Sequence, residues 1–136
     1  MNKNEAVDFI TRNPVFSLAT CVNNIPHVRS MLVIKASGSE VVFNVKKYKA
    51  VYQELLTNPN VELCFYNKEA GVQIRIFGKA TEVFSPPLVD DILSKHPDLQ
   101  IQIAKHGKDV ISLFSVDNWE ATLWTSKNKE QTFEIQ

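Results

Sequence analysis

Between residues 72 and 79 the chain alternates without a break. Val72, Ile74, Ile76 and Gly78 fall on one side, and Gln73, Arg75, Phe77 and Lys79 on the other. A period of two is that of a β-strand, whose successive side chains point to opposite faces. Strand signals recur along the chain. Residues 15–22 are rich in strand formers, Asn23-Asn24 is a turn signal, and residues 25–35 resume as a strand, so the first two strands read as a hairpin. Ser37-Gly38-Ser39 turns the chain into a strand over 41–45, and residues 61–66 alternate again before Glu69-Ala70-Gly71 turns into 72–79. Further strands are expected over 110–116, 120–125 and 132–135. Strands joined by short turns pair antiparallel. The expected fold is mainly β, an antiparallel barrel with peripheral helices.

Helical spacing interrupts the strands in four places. Residues 4–13 place Ala6, Phe9 and Ile10 on one face before Asn13-Pro14 stops them. Residues 49–57 gather Val51, Tyr52, Leu55 and Leu56, and Asn58-Pro59-Asn60 follows. Pro86-Pro87 opens a helix over 88–95, with Ser85 as a candidate cap, and 98–105 forms another that Gly107 ends. This order is not a βαβ alternation. With no Gly-x-Gly-x-x-Gly and only four glycines, a dinucleotide-binding parallel sheet is disfavoured.

A length of 136 residues fits one domain spanning 1–136. Fifteen basic residues balance fifteen acidic ones, so no global field draws the chain to nucleic acid or an anionic membrane, and neither partner is expected. The N-terminal residues lack the apolar run of a signal peptide, and no apolar stretch is long enough to cross a bilayer. A cytoplasmic location is the default expectation. Cys21 and Cys64 are then free thiols buried in strands rather than a disulfide.

Three places fit a binding site. Lys46-Lys47-Tyr48-Lys49 lies at a strand end and a helix start, where the backbone N–H groups and dipole are already positive. Lysines oppose the helix there unless an anion sits between them, and phosphate suits both. A solvated basic turn is the simpler reading of the spacing alone. Arg29 in mid-strand must reach solvent or an anionic or carbonyl partner. Gln73 and Arg75 line the polar side of the alternating strand, either solvated or partly covered. Other chemistry finds no support. His27, His96 and His106 do not combine with the cysteines at a metal-binding spacing, so no metal is expected. Hydrolase and P-loop motifs are missing. Asp90-Asp91 are neighbours on a helix and point apart.

The segments 15–20, 26–31, 42–63 and 73–80, in this order and spacing, resemble the pyridoxamine 5′-phosphate oxidase-like FMN-binding split-barrel proteins. The resemblance covers nearly the whole chain. It implies an antiparallel split β-barrel in which Arg29, Ser30, Met31, Leu32 and Val33 run along the flavin, with Arg29 toward the phosphate or ribityl chain. It places Asn44, Val45 and Lys49 about the phosphate. Many members read Ser-Arg-Lys where this chain has Lys47-Tyr48-Lys49, so Lys46 or Lys47 stands in for the arginine. Gln73 matches a glutamine that reaches the flavin of a partner subunit, which implies a homodimer with flavin at its interface. Trp119 or Trp124 covers the flavin or, the simpler reading, belongs to the core.

The resemblance also implies a function: an FMN-dependent oxidoreductase acting on a small-molecule substrate. True pyridoxamine-phosphate oxidases are longer and hold substrate with a C-terminal arginine and histidine. Here the arginines are Arg12, Arg29 and Arg75, and no histidine follows His106, which argues against vitamin B6 oxidation. A flavin carrier or sensor, or a split barrel that binds haem or a deazaflavin, is the alternative.

Overall fold

The computed structural model describes residues 1–129 and 132–136. Helix α1 (Lys3–Arg12) starts on a capping box, in which the Asn2 side chain accepts from the Glu5 N–H and Glu5 accepts from the Asn2 N–H. Strands β1 (Val15–Val22) and β2 (Ile25–Ala36) follow as a hairpin whose two turn residues, Asn23 and Asn24, have φ of 53° and 63°. Positive φ at both positions is the twist-compatible type I′ geometry, and asparagine tolerates it better than most residues. Then come β3 (Glu40–Lys46), α2 (Ala50–Thr57), β4 (Asn60–Asn67) and β5 (Val72–Val83). Helices α3 (Pro86–Lys95) and α4 (Pro97–His106) precede β6 (Ile111–Asp117), β7 (Glu120–Thr125) and β8 (Phe133–Glu134). Ser85 stands at the N-cap of α3, but its side chain makes no capping hydrogen bond.

Every strand pairing is antiparallel, and the order β4-β1-β2-β3-β6-β5 closes through a β4–β5 pairing into a six-stranded barrel. Strands β7 and β8 extend the sheet from β5. Two long strands make this possible. The first half of β5 lies between β4 and β7, and its last residues, Ala80 to Val83, cross to β6. Strand β2 pairs with β1 through Leu32 and with β3 only from Val33 onward, with an irregularity between Val33 and Lys35. The barrel is therefore split between β2 and β3.

The alternating residues of 61–66 and 72–79 divide as their period requires. Val61, Leu63, Phe65, Ile74 and Ile76 are buried in the barrel with Phe16, Leu18, Phe43 and Phe114. Trp119 is fully buried in the same core, and its Nε1 donates to the Ser37 carbonyl at 3.0 Å. A second apolar cluster of Ile92, Leu99, Val110, Ile111 and Leu113 joins α3 and α4 to the outer side of β6. Helix α2 departs from its expected face: Val51 and Leu55 are buried, whereas Leu56 is 48% exposed. Cys21 and Cys64 are free, and both are half-buried rather than buried. Among the described residues no helix is long and apolar enough to cross a membrane.

Candidate functional site

Where β2 leaves β3, the split opens a cleft. Residues 29–32 have β1 on one side, residues 44–46 have β6 on one side, and no strand fills the gap between them. The start of α2 closes one end and the start of α4 another. The resulting cavity is about 590 Å³ and is lined by Arg29, Ser30, Met31, Leu32, Asn44, Val45, Lys46, Lys49, Ala50, Val51, Asp98 and Leu99. That volume is in the range of small-molecule and cofactor sites.

Of Arg29, Ser30, Met31, Leu32, Val33, Asn44, Val45, Lys46, Lys49 and Gln73, eight are brought together here. Two are not. Val33 is 8% exposed and packs in the barrel core, because it lies where β2 joins β3. Gln73 stands on the outward side of β5 between Tyr66 and Trp124 and does not line the cleft of its own chain. Trp124 is also outside the lining, and its Nε1 donates to the Lys129 carbonyl at 3.1 Å. Arg75 pairs with Glu62 at 3.3 Å across β4 and β5.

The electrostatics of the cleft are uneven. Lys49 occupies the N-cap of α2, which has no acidic residue in its first turn. Neither Lys46 nor Lys49 has an ion-pair partner among the described residues. Two free ammonium groups beside a helix start make this end of the cleft suited to an anion. Asn44 Oδ1 is buried and has no hydrogen-bond donor among the described residues. An orphaned buried acceptor costs about 1–3 kcal/mol unless a bound group donates to it. The residues present thus fit a ligand that is anionic at one end and carries O–H or N–H donors along its length.

Arg29 is held differently. Its guanidinium donates to the Leu18 carbonyl, to Thr20 Oγ1 at 2.8 Å and to Glu54 Oε1. Burial alone pushes the Glu54 carboxyl up, but hydrogen bonds from Thr20 and Arg29, with the positive charge of Arg29, together hold it below its ordinary value. Glu54 and Thr20 escaped the sequence reading, although a signal existed. Val51, Glu54 and Leu55 lie at i, i+3 and i+4, so Glu54 shares the apolar face of α2 and needs a cationic partner there.

A second cavity, about 290 Å³, lies under the β5–α3 connection and is lined by Lys47, Glu82, Phe84, Lys108 and Ser112 among others. Of the residues that the sequence singled out, it holds Lys47, the alternative stand-in for the arginine. Glu82 accepts there from Tyr52 and Ser112. Burial, followed by the hydrogen bond to Glu82 and its charge, raises the Tyr52 hydroxyl, which stays a protonated donor. Burial likewise pushes the Cys64 thiol up, against the nearby Arg75, so Cys64 is not an activated nucleophile. Among the described residues no group of three or more metal-ligating side chains forms.

Fold and cleft together define an antiparallel split-barrel protein with a cofactor-sized cleft at the split. The family model described as pyridoxamine 5′-phosphate oxidase matches residues 3–119, and the chain belongs to that family. A pyridoxine/pyridoxamine 5′-phosphate oxidase of Psychrobacter cryohalolentis is 33% identical over 81 residues. That match covers 58% of this chain and 38% of the relative, so the chain matches well under half the length of that curated protein. A crystal structure of a NimC/NimA family protein from Clostridium acetobutylicum superposes with a TM-score of 0.77 at 24% identity, over 98% of this chain and 92% of that one. A pyridoxamine 5′-phosphate oxidase-related, FMN-binding protein from Nostoc punctiforme superposes with a TM-score of 0.69 at 16% identity, covering 98% and 95%. At these identities the two structures share the fold.

Proposed function

We propose that this chain binds FMN in the cleft between β2 and β3 and works as an FMN-dependent oxidoreductase on a small molecule. The observation that carries this reading is the cleft itself. In a chain of the pyridoxamine 5′-phosphate oxidase family, it collects two lysines at a helix start and a buried acceptor, all without partners among the described residues. Lys46 and Lys49 would take the phosphate, with the start of α2 adding its dipole. Asn44 Oδ1 would accept from a ribityl hydroxyl or the ring N–H, and Ser30 with the open edge of β2 would orient the ribityl chain and ring. Met31 and Leu32 would supply apolar contact to the ring.

Bound FMN supplies the redox chemistry, so the protein's task is to hold and orient the ring and exclude water from it. No acid or base of the chain is required, and none is assigned. The cleft is open along β2, beside the outward face of the β1–β2–β4 sheet. Val15, Val28, Leu32 and Tyr66 stand exposed on that face with Gln73. A second copy seated there would cover these apolar side chains and bring its Gln73 toward the first copy's cleft, which supports a homodimer with two sites.

Purified protein should carry flavin absorbance, or acquire it on incubation with FMN, with binding that saturates at one FMN per chain. A colourless protein that takes up no FMN would sink the reading. For a flavin-loaded protein, photoreduction followed by exposure to nicotinamides, nitro compounds and quinones separates enzyme from carrier. Electrons returned to oxygen alone would favour the carrier.

A further inference from the structure

Arg29 reaches the cleft with its charge already answered. Its Nη1 donates to the Leu18 carbonyl at 3.3 Å and to Thr20 Oγ1 at 2.8 Å, and its Nη2 donates to Glu54 Oε1. The Thr20 hydroxyl donates to the same Glu54 oxygen at 2.6 Å, closing a ring of three side chains between β1, β2 and α2. The Glu54 side chain is only 13% exposed, and that of Arg29 24%. Opposite charges in contact cancel most of each other's field at a distance, which Lys46 and Lys49, unpaired among the described residues, do not.

A guanidinium has five N–H donors in a fixed fork, and three of these are engaged. Nε–H and one Nη2–H remain, on a side chain that lines the cleft. Swinging Arg29 away toward an anion would strand the Glu54 carboxylate in a nearly buried place without its cation, a costly exchange. Arg29 is therefore an anchored hydrogen-bond donor with little net charge to offer.

We propose that Glu54 is a positioning residue that neutralises and aims Arg29. Arg29 then recognises neutral acceptor atoms of the ligand, and the anionic end is left to Lys46 and Lys49. For FMN the neutral acceptors are ribityl hydroxyls or ring carbonyls, a refinement that rests on the flavin reading above. The resemblance alone left Arg29 with either the phosphate or the ribityl chain; its pairing with Glu54 selects the second.

Riboflavin, which lacks the phosphate, separates the two. Affinities for FMN and riboflavin are measured by flavin fluorescence on the whole chain. Arg29→Met should weaken both ligands by the same factor, about tenfold. Lys49→Ala should weaken FMN about tenfold and riboflavin by less than about twofold. Glu54→Gln keeps the shape and the acceptor but not the charge. It should raise the FMN-to-riboflavin affinity ratio by about fivefold, because the charge of Arg29 is released.

A glutamate that merely stabilised the fold would weaken both ligands alike, so an unchanged ratio in Glu54→Gln overturns the proposal. An Arg29→Met variant that loses at least about tenfold more affinity for FMN than for riboflavin overturns it as well. Should Arg29→Met fail to fold, the Glu54→Gln ratio decides alone. A wild-type protein that binds FMN but not riboflavin would show the phosphate to carry the affinity, and the assignment would fall. One that binds neither would overturn the flavin reading itself, which keeps the two failures apart.

Discussion

Among the residues of the basic turn, neighbours in sequence have different surroundings. Lys46 and Lys49 line the main cleft. Lys47 lines the other cavity, places its ammonium 5.9 Å from the centre of the Tyr52 ring, and ties its backbone N–H to the Val110 carbonyl. Its substitution should therefore leave a ligand of the main cleft untouched. Lys49→Ala is expected to weaken FMN binding about tenfold, and Lys47→Ala by less than about twofold, in titrations followed by flavin fluorescence. Equal effects would move the phosphate out of the cleft. The sequence marked a basic turn but could not rank its lysines, because a tight turn sends consecutive side chains to different sides. For the same reason it left open whether Lys46 or Lys47 stands in for the family's arginine. The structure puts Lys46 in the cleft, and the titrations above test whether that placement carries the role.

Helix α2 shows what could be read at the level of elements. Its existence and its end at Asn58 follow from the spacing of Val51 and Leu55 and from Pro59. Its docking does not, because that depends on Glu54 meeting Arg29 and Thr20 from another hairpin. The same limit applies to the strands. The hairpin β1–β2 is local and legible from Asn23-Asn24, while the crossing of β5 between two partners and the split at Val33 arise only when the barrel closes. The docking of α2 has a pH signature. The Glu54 carboxyl lies below its ordinary value in the fold, with Arg29 and His27 both favouring its charged form. A depressed carboxylate contributes stability that is complete above its unfolded value and is lost as pH falls through the folded one. Wild type should therefore be more stable than Glu54→Gln in urea at about pH 7, with the gap closing below about pH 4. A gap that did not change with pH would mean that packing, not ionisation, holds α2.

For the whole molecule, the outward face of the β1–β2–β4 sheet is the feature that alternation alone misjudges. A barrel strand with one face in the core is expected to turn polar residues outward, yet Val28 is 71% exposed, Val15 62% and Tyr66 52%. Register sets Val15 opposite Leu32 and Val28 opposite Ala19, with the Ser17–Ser30 pair between them, so the exposed apolar side chains share one face as two patches. Apolar side chains gathered on one exposed face fit a surface that another chain covers. With Gln73 on the same outward face of the barrel, a second copy of this chain is the occupant that would also complete two clefts at once. Val28→Glu places a charge on that face at a residue that is largely exposed in its own chain. It should change the stability of the fold by no more than about 0.5 kcal/mol, as exposed substitutions generally do. It should nonetheless weaken self-association at least about tenfold and shift the protein toward monomer in sedimentation or light scattering. If Gln73 acts across the interface, the monomeric variant should also bind FMN more weakly, and Gln73→Ala in the dimer should reproduce that loss without changing mass. A wild-type protein that is monomeric at micromolar concentration and still binds FMN tightly would remove both the dimer and the role of Gln73, leaving the cleft of a single chain as the complete site.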